Sequence, residues 1–180
     1  MSSDPIIRSS TDADVATIIE IYAHYVRNTT ATFEIDSPDA AEIAKRRADI
    51  RERRLPHLVA EVEGAVVGYA YAVPYRPRLA YRFTVEDSIY IEAAHTGRGL
   101  GRLLLAAVIE ACELNGYRQM VAVIGGSDNA ASIGLHASFR FVPAGLLRSV
   151  GFKFGRWLDS VLMQRGLGDG AGSFGLLHQK

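Results

Sequence analysis

Thr96-Gly97-Arg98-Gly99-Leu100-Gly101-Arg102 follows an alternating apolar stretch, Ser88-Ile89-Tyr90-Ile91, and leads into a long helical pattern that begins at Leu100. A glycine-rich turn between a strand and a helix leaves the first backbone N–H groups of the helix without partners. It aims them at one point and adds the positive end of the helix dipole. The segment predicts an anion cradle for a phosphate-bearing cofactor, with Thr96, Gly97, Arg98, Gly99, Leu100, Gly101 and Arg102 as binding residues. A P-loop would need Lys-Ser or Lys-Thr after its last glycine, where Arg102-Leu103 stands. A dinucleotide fingerprint would need a glycine at Arg102 and a place after the first strand, and the segment lies mid-chain. Three clustered glycines can also be a plain flexible turn with a helix cap. The two arginines and the strand-then-helix setting favour pyrophosphate.

Outward from this turn, the 180 residues, 48% of them hydrophobic, suffice for one domain with a real core. Lys plus Arg equals Asp plus Glu at 20 each, so no global field favours nucleic acid or an anionic membrane. The longest apolar runs, such as Ala65 to Val73, fall short of a membrane span, and Met1-Ser2-Ser3-Asp4-Pro5 does not begin a signal peptide. The expected location is the cytoplasm. The single cysteine, Cys112, lies within a helical pattern and reads as a core residue without a catalytic role.

Strands and helices alternate along the chain. Pro5 to Arg8 reads as a strand, followed by a helix introduced by Thr11 and Asp14, with Val15, Ile18, Ile19, Tyr22 and Val26 as its apolar stripe. A second helix is expected from Ser37-Pro38 to about Arg54. Its Arg46, Arg47, Arg51, Arg53 and Arg54 interleave with Glu42, Asp49 and Glu52, the pattern of a solvated face and not of a nucleic-acid patch. Leu58 to Glu63 and Ala65 to Val73 form a hairpin through Gly64 and end at Pro74. Phe83 to Ile91 is a further strand. Leu100, Leu103, Leu104, Ala107, Val108 and Ala111 stripe the next helix, which Gly116 closes. Met120 to Ile124 reads as a buried strand, Ala131 to Phe139 as a helix, and Phe141 to Arg148 and Phe152 to Met163 as the last strands. Residues 1–165 are expected to form one domain, with a flexible Gly-rich tail over 166–180.

The order strand, glycine turn, helix, strand, Asn-containing loop and helix resembles the GCN5-related N-acetyltransferase (GNAT) superfamily. Within it the chain is most similar to phosphinothricin and methionine sulfoximine acetyltransferases. The likeness is carried by Thr32-Phe33-Glu34, Tyr69-Ala70-Tyr71-Ala72, the run from Tyr81 to Ile91, Val121-Ala122-Val123-Ile124-Gly125, and Gly151-Phe152-Lys153-Phe154-Gly155-Arg156-Trp157. The resemblance implies a mixed α/β (α+β) fold, with a central, mostly antiparallel sheet flanked by helices. It also implies acetyl-CoA as co-substrate, no metal, and a homodimer with the pocket near the subunit interface.

Amide formation requires an ammonium to lose a proton before its nitrogen attacks a thioester, so a positioned base is needed. The resemblance assigns that role to Glu86. It assigns the main chain of Ile89, Tyr90 and Ile91 to the pantetheine arm and the oxyanion, Asn129 to the pantetheine with Ser132 beside it, and His136 to protonating the thiolate or touching CoA. An amino-acid substrate brings a carboxylate that arginine binds with paired hydrogen bonds, which makes Arg76, Arg78 and Tyr81 the candidate clamp. Phe33 and Glu34 match a family segment near the pocket. Two positions depart from the family pattern: Thr96 stands where Gln or Arg is usual, and Phe139-Arg140-Phe141 lacks the usual glycine. The implied reaction is acetyl transfer to the α-amino group of phosphinothricin, methionine sulfoximine or methionine sulfone. Other readings are a polyamine, aminoglycoside or protein N-terminus as acceptor, a CoA-binding sensor without turnover, and a nucleic-acid binder using the arginine helix.

Overall fold

A computed structural model describes residues 4–172. The strands are β1 (Ile6–Ser9), β2 (His57–Val62), β3 (Ala65–Pro74), β4 (Thr84–Ile91), β5 (Gln119–Gly125), β6 (Val142–Lys153) and β7 (Arg156–Gly166). The helices are α1 (Val15–Asn28), α2 (Ala40–Glu52), α3 (Leu100–Leu114) and α4 (Ala130–Ser138). The sheet order is β1-β2-β3-β4-β5-β7-β6, with every pairing antiparallel except β4 with β5. That is the expected mixed, mostly antiparallel sheet.

The strand period of two divides the core. Val59, Tyr69 and Tyr90 point to the face covered by Ile18, Ile21, Tyr22 and Val26 of α1 and Ile43 of α2. Ala60, Ala70, Val85 and Ile91 point to the other face, against Leu100, Leu104, Leu105 and Val108 of α3. Cys112 is fully buried there, as its helical setting implies. In α3 the apolar stripe is shifted from the expected one: Leu103 is exposed, and Leu105 faces the core in its place. No helix among the described residues is long and apolar enough to cross a membrane.

Several boundaries differ from expectation. Helix α2 begins later than Ser37-Pro38, because Asp39 is the residue whose carboxylate accepts the Glu42 N–H at 2.8 Å. It also ends before Arg54, which takes a positive φ of 57°. Arg47 is not solvated. It is 3% exposed, and its guanidinium donates to the Ser10 hydroxyl and carbonyl, both at 2.7 Å, and to Asp12. The last two strands are divided differently as well. Residues Ser149 and Val150, read as a break, form a bulge inside one continuous β6, while the chain reverses at Phe154-Gly155, both with positive φ. The tail begins later than Gly166, since Gly166 pairs with Gln119 and Leu167 is fully buried. The rest of the expected tail, residues 173–180, lies outside the described residues.

Candidate active site

Strands β4 and β5 run parallel only from Thr84/Gln119 to Asp87/Ala122, and then diverge. The opened wedge holds a cavity of about 570 Å³ lined by both strands, the glycine turn and α4. Gly97 and Gly99 take φ of 74° and 83°, and a Cβ on either would meet nothing within 4 Å. No side chain among the described residues caps α3 at Gly99, so its first turn faces open space. These features suit a phosphate at the glycine turn and an extended arm in the wedge.

The residues expected to bind the cofactor divide. Thr96, Gly97, Gly99, Leu100, Gly101, Ile89, Tyr90, Ile91, Asn129, Ser132 and His136 all line this cavity. Arg98 and Arg102 do not. Arg98 is exposed, and Arg102 turns toward α4, where it donates to the Ser138 hydroxyl at 2.7 Å and lies over the Phe139 ring. The Thr96 hydroxyl donates to the Ala93 carbonyl of its own turn at 3.0 Å. The Asn129 side chain caps α4 by accepting the Ser132 N–H. At the other departure from the family pattern, Arg140 takes φ of 64°, so it adopts the left-handed conformation a glycine would supply.

The main-chain groups of β4 are not equally available. Tyr25, which sequence reasoning missed, accepts the Ile91 N–H at 3.2 Å and donates to the Ile91 carbonyl at 2.7 Å. One hydroxyl thus replaces the partner strand that Ile91 has lost. Alternation turns the Ile89 backbone to the same side and that of Tyr90 toward β3. Among the three, Ile89 keeps its outward groups free for an arm.

Beneath the wedge lies a second residue missed from the sequence, Asp87. His136 is 5% exposed, its Nε2 lies 3.0 Å from Asp87 Oδ2, and its Nδ1 lies 2.7 Å from the Ser132 carbonyl. Burial pulls the imidazole pKa down, but the hydrogen bond and charge of Asp87 raise it by more, and it rests above 6.5. The signal was available: Val85, Asp87, Ile89 and Ile91 share one strand face, and an aspartate among apolar residues there must be paired.

Glu86 lies on the opposite face. It is half-buried and lines a separate cavity of about 280 Å³ with Arg46, Arg53, His57, Tyr71 and Ser88. Burial raises its pKa above 4.5, and the charge of Arg76 opposes the shift. Ser88 lines both cavities. Phe33 packs against the glycines at the end of β5 and in β6: a Cβ on Gly151 would sit 2.5 Å from its ring, and one on Gly125 would sit 3.0 Å away. Glu34 accepts from Arg46 at 2.6 Å. Arg76, Arg78 and Tyr81 are exposed and line neither cavity, so the expected clamp is not assembled around either one. Arg76 instead lies over the Tyr75 ring, 4.2 Å from its centre.

A wedge between two parallel strands, a glycine cradle at a helix start and a half-buried carboxylate on the next face suit a protein that binds a phosphate-bearing cofactor beside a base. The acetyltransferase (GNAT) domain family matches residues 7–162, and the chain belongs to that family. It is an acetyl-CoA-dependent N-acetyltransferase. It is 54% identical over 164 residues to a phosphinothricin N-acetyltransferase of Alcaligenes faecalis, covering 91% of this chain and 83% of that one. It is 44% identical over 161 residues to an L-methionine sulfoximine/L-methionine sulfone acetyltransferase of Salmonella typhimurium, covering 88% and 92%. Among solved structures, a GNAT superfamily phosphinothricin acetyltransferase from Sinorhizobium meliloti in complex with AcCoA superposes with a TM-score of 0.94 at 44% identity, covering 97% and 95%.

Proposed function

We propose that the enzyme acetylates the α-amino group of a small amino-acid analogue of the phosphinothricin or methionine sulfoximine and sulfone type. The observation that carries this reading is the pair of cavities that meet at Ser88, one with the glycine cradle and the other with Glu86. The substrates for which the relatives are named, all with an α-amino group beside a carboxylate, support the substrate class.

The N–H groups of Gly97, Gly99, Leu100 and Gly101 would hold the cofactor's phosphates and the main chain of Ile89 its arm, and the cofactor would supply an activated acetyl group there. Glu86 removes the ammonium proton, and its raised pKa makes it a stronger base than an exposed carboxylate. Phe33 lines neither cavity and packs on Gly125 and Gly151, so its part in the reading is to shape the β5 end of the site. Arg76, Arg78 and Tyr81 serve as a carboxylate clamp only if a second protomer completes the site.

A homodimer is therefore part of the reading. Its support is the exposed apolar surface of the β6–β7 hairpin, where Val142, Leu147, Val150, Phe152, Phe154 and Trp157 are 48–65% exposed. The cytoplasm is the proposed location. Thiol release from acetyl-CoA with phosphinothricin, methionine sulfoximine, methionine sulfone and spermidine, repeated with Glu86→Gln, tests the reading. Turnover of the first three, lost in the variant, is expected. Turnover of spermidine alone would overturn the substrate class.

A further inference from the structure

Lys153 is a basic side chain that the reaction leaves unused, and it is only 4% exposed. It stands at the tip of the β6–β7 hairpin, opposite Arg156 on the last rung before the chain reverses at Phe154-Gly155. Its Nζ donates to the Thr32 carbonyl at 2.8 Å and lies 5.1 Å from the centre of the Phe154 ring. Burial pulls its pKa below the ordinary lysine value, and the charge of Glu34 opposes the shift. A lysine held out of water is costly, and this one reaches 121 residues back along the chain to the loop between α1 and α2.

That loop is held in two separate parts. Residues 29–31 line the larger cavity and are tied to α1: the Thr29 N–H and hydroxyl both donate to the Tyr25 carbonyl, at 3.1 and 2.9 Å, and the Ala31 N–H donates to the Thr29 hydroxyl at 3.2 Å. Residues 32–34 border the cavity that holds Glu86. The Thr32 hydroxyl lies 3.0 Å from that of Tyr22, Arg46 donates to Glu34 at 2.6 Å, and both Tyr22 and Arg46 line that cavity. The Glu34 N–H donates to the Thr32 hydroxyl at 3.3 Å, and the Phe33 ring packs on Gly151, two residues before Lys153. Among the described residues, the bond from Lys153 is the one that reaches the main chain of residues 32–34 from outside the loop.

We propose that Lys153 is a positioning residue for the amine acceptor: through the Thr32 carbonyl it sets where residues 32–34 stand, and with them Tyr22 and Arg46, around the cavity that holds Glu86. The inference rests on the acceptor reading given above, with the amine beside Glu86. Lys153 lines neither cavity, so its part is placement and not contact with the reacting atoms. The hairpin tip thereby reaches the acceptor side of the site and leaves the cofactor side to α1.

Lys153→Met keeps an unbranched apolar stem and removes the donor. Its acetyl transfer to phosphinothricin and methionine sulfone is compared with that of wild type, together with CoA affinity by calorimetry and hydrogen exchange of the loop amides. Expected is a rise of about 10-fold in KM for the acceptor, the weight of one hydrogen bond, with kcat and CoA affinity unchanged. The Glu34 amide should exchange faster, while the Ala31 amide, tied to α1, keeps its wild-type rate. An unmoved KM, a matching loss of CoA affinity, or exchange that changes at both amides or at neither overturns the inference. If Lys153→Met does not fold, Lys153→Arg takes its place: its longer side chain pushes the Thr32 carbonyl aside, the same rise in KM alone is expected, and a wild-type KM overturns the inference. Wild type that turns over neither acceptor removes the substrate reading and the acceptor role with it, and faster exchange at Glu34 alone would then show the tie standing without that reading.

Discussion

Glu86 and Asp87 are neighbours in sequence and open onto opposite faces of the sheet, Glu86 into the smaller cavity and Asp87 into the larger. Strand alternation makes this unavoidable. It gives two adjacent carboxylates different settings: one is half-buried without an ion-pair partner among the described residues, the other is hydrogen-bonded to the His136 ring.

Replacing Glu86 by Gln is predicted to lower kcat/KM by at least about 100-fold, the usual size of a general-base contribution, with CoA affinity unchanged. Because burial raises its pKa, the wild-type rate should decline as pH falls through a value above 4.5, and the variant should lose that limb. A pH profile of kcat/KM together with calorimetry decides this.

Gly151→Ala places a methyl group 2.5 Å from the Phe33 ring. The ring must move. KM for the amine acceptor is predicted to rise several-fold while the affinity for CoA holds. A variant in which both constants stay at wild-type values would separate Phe33 from the acceptor.

Arg47→Met removes a buried cation and leaves the Ser10 hydroxyl and carbonyl without their donor. The expected loss in unfolding free energy is about 2–4 kcal/mol by denaturant titration, because stranded buried acceptors keep their full desolvation cost.

His57 stacks with both Tyr69 and Tyr71, and its pKa is lowered to about 4, by burial first and the charge of Arg47 next. The unfolded chain binds a proton there near 6.5 and the folded chain does not. This residue's share of stability is therefore present above pH 6.5 and is lost as pH falls toward 4. The slope accounts for at most about 3 kcal/mol, and His57→Phe should flatten it in thermal scans across that window.

The glycine turn, the hairpin through Gly64 and the buried run of β5 were legible because each is a local pattern of period or turn chemistry. Arg47 was not, since a helix face crowded with charge gives no sign of which arginine a distant Ser10 will recruit. Tyr25 was hidden for a similar reason: it lies outside the expected apolar stripe of α1, and only the parting of β4 from β5, a tertiary event, leaves Ile91 in need of its hydroxyl. The β6–β7 boundary was misread because Ser149 and Phe154 both take a positive φ that side chains of their kind do not announce.

Four rungs, Thr84/Gln119 to Asp87/Ala122, are all that join β1–β4 to β5–β7 in the sheet. Yet one core spans both sides of that seam: Leu104, Leu105 and Val108 of α3 share a buried cluster with Ala70 and Val85 on one side and with Met120, Ala122 and Met163 on the other. Where the hydrogen bonds of the sheet stop, packing beneath it carries the connection, and the wedge stays open without splitting the molecule.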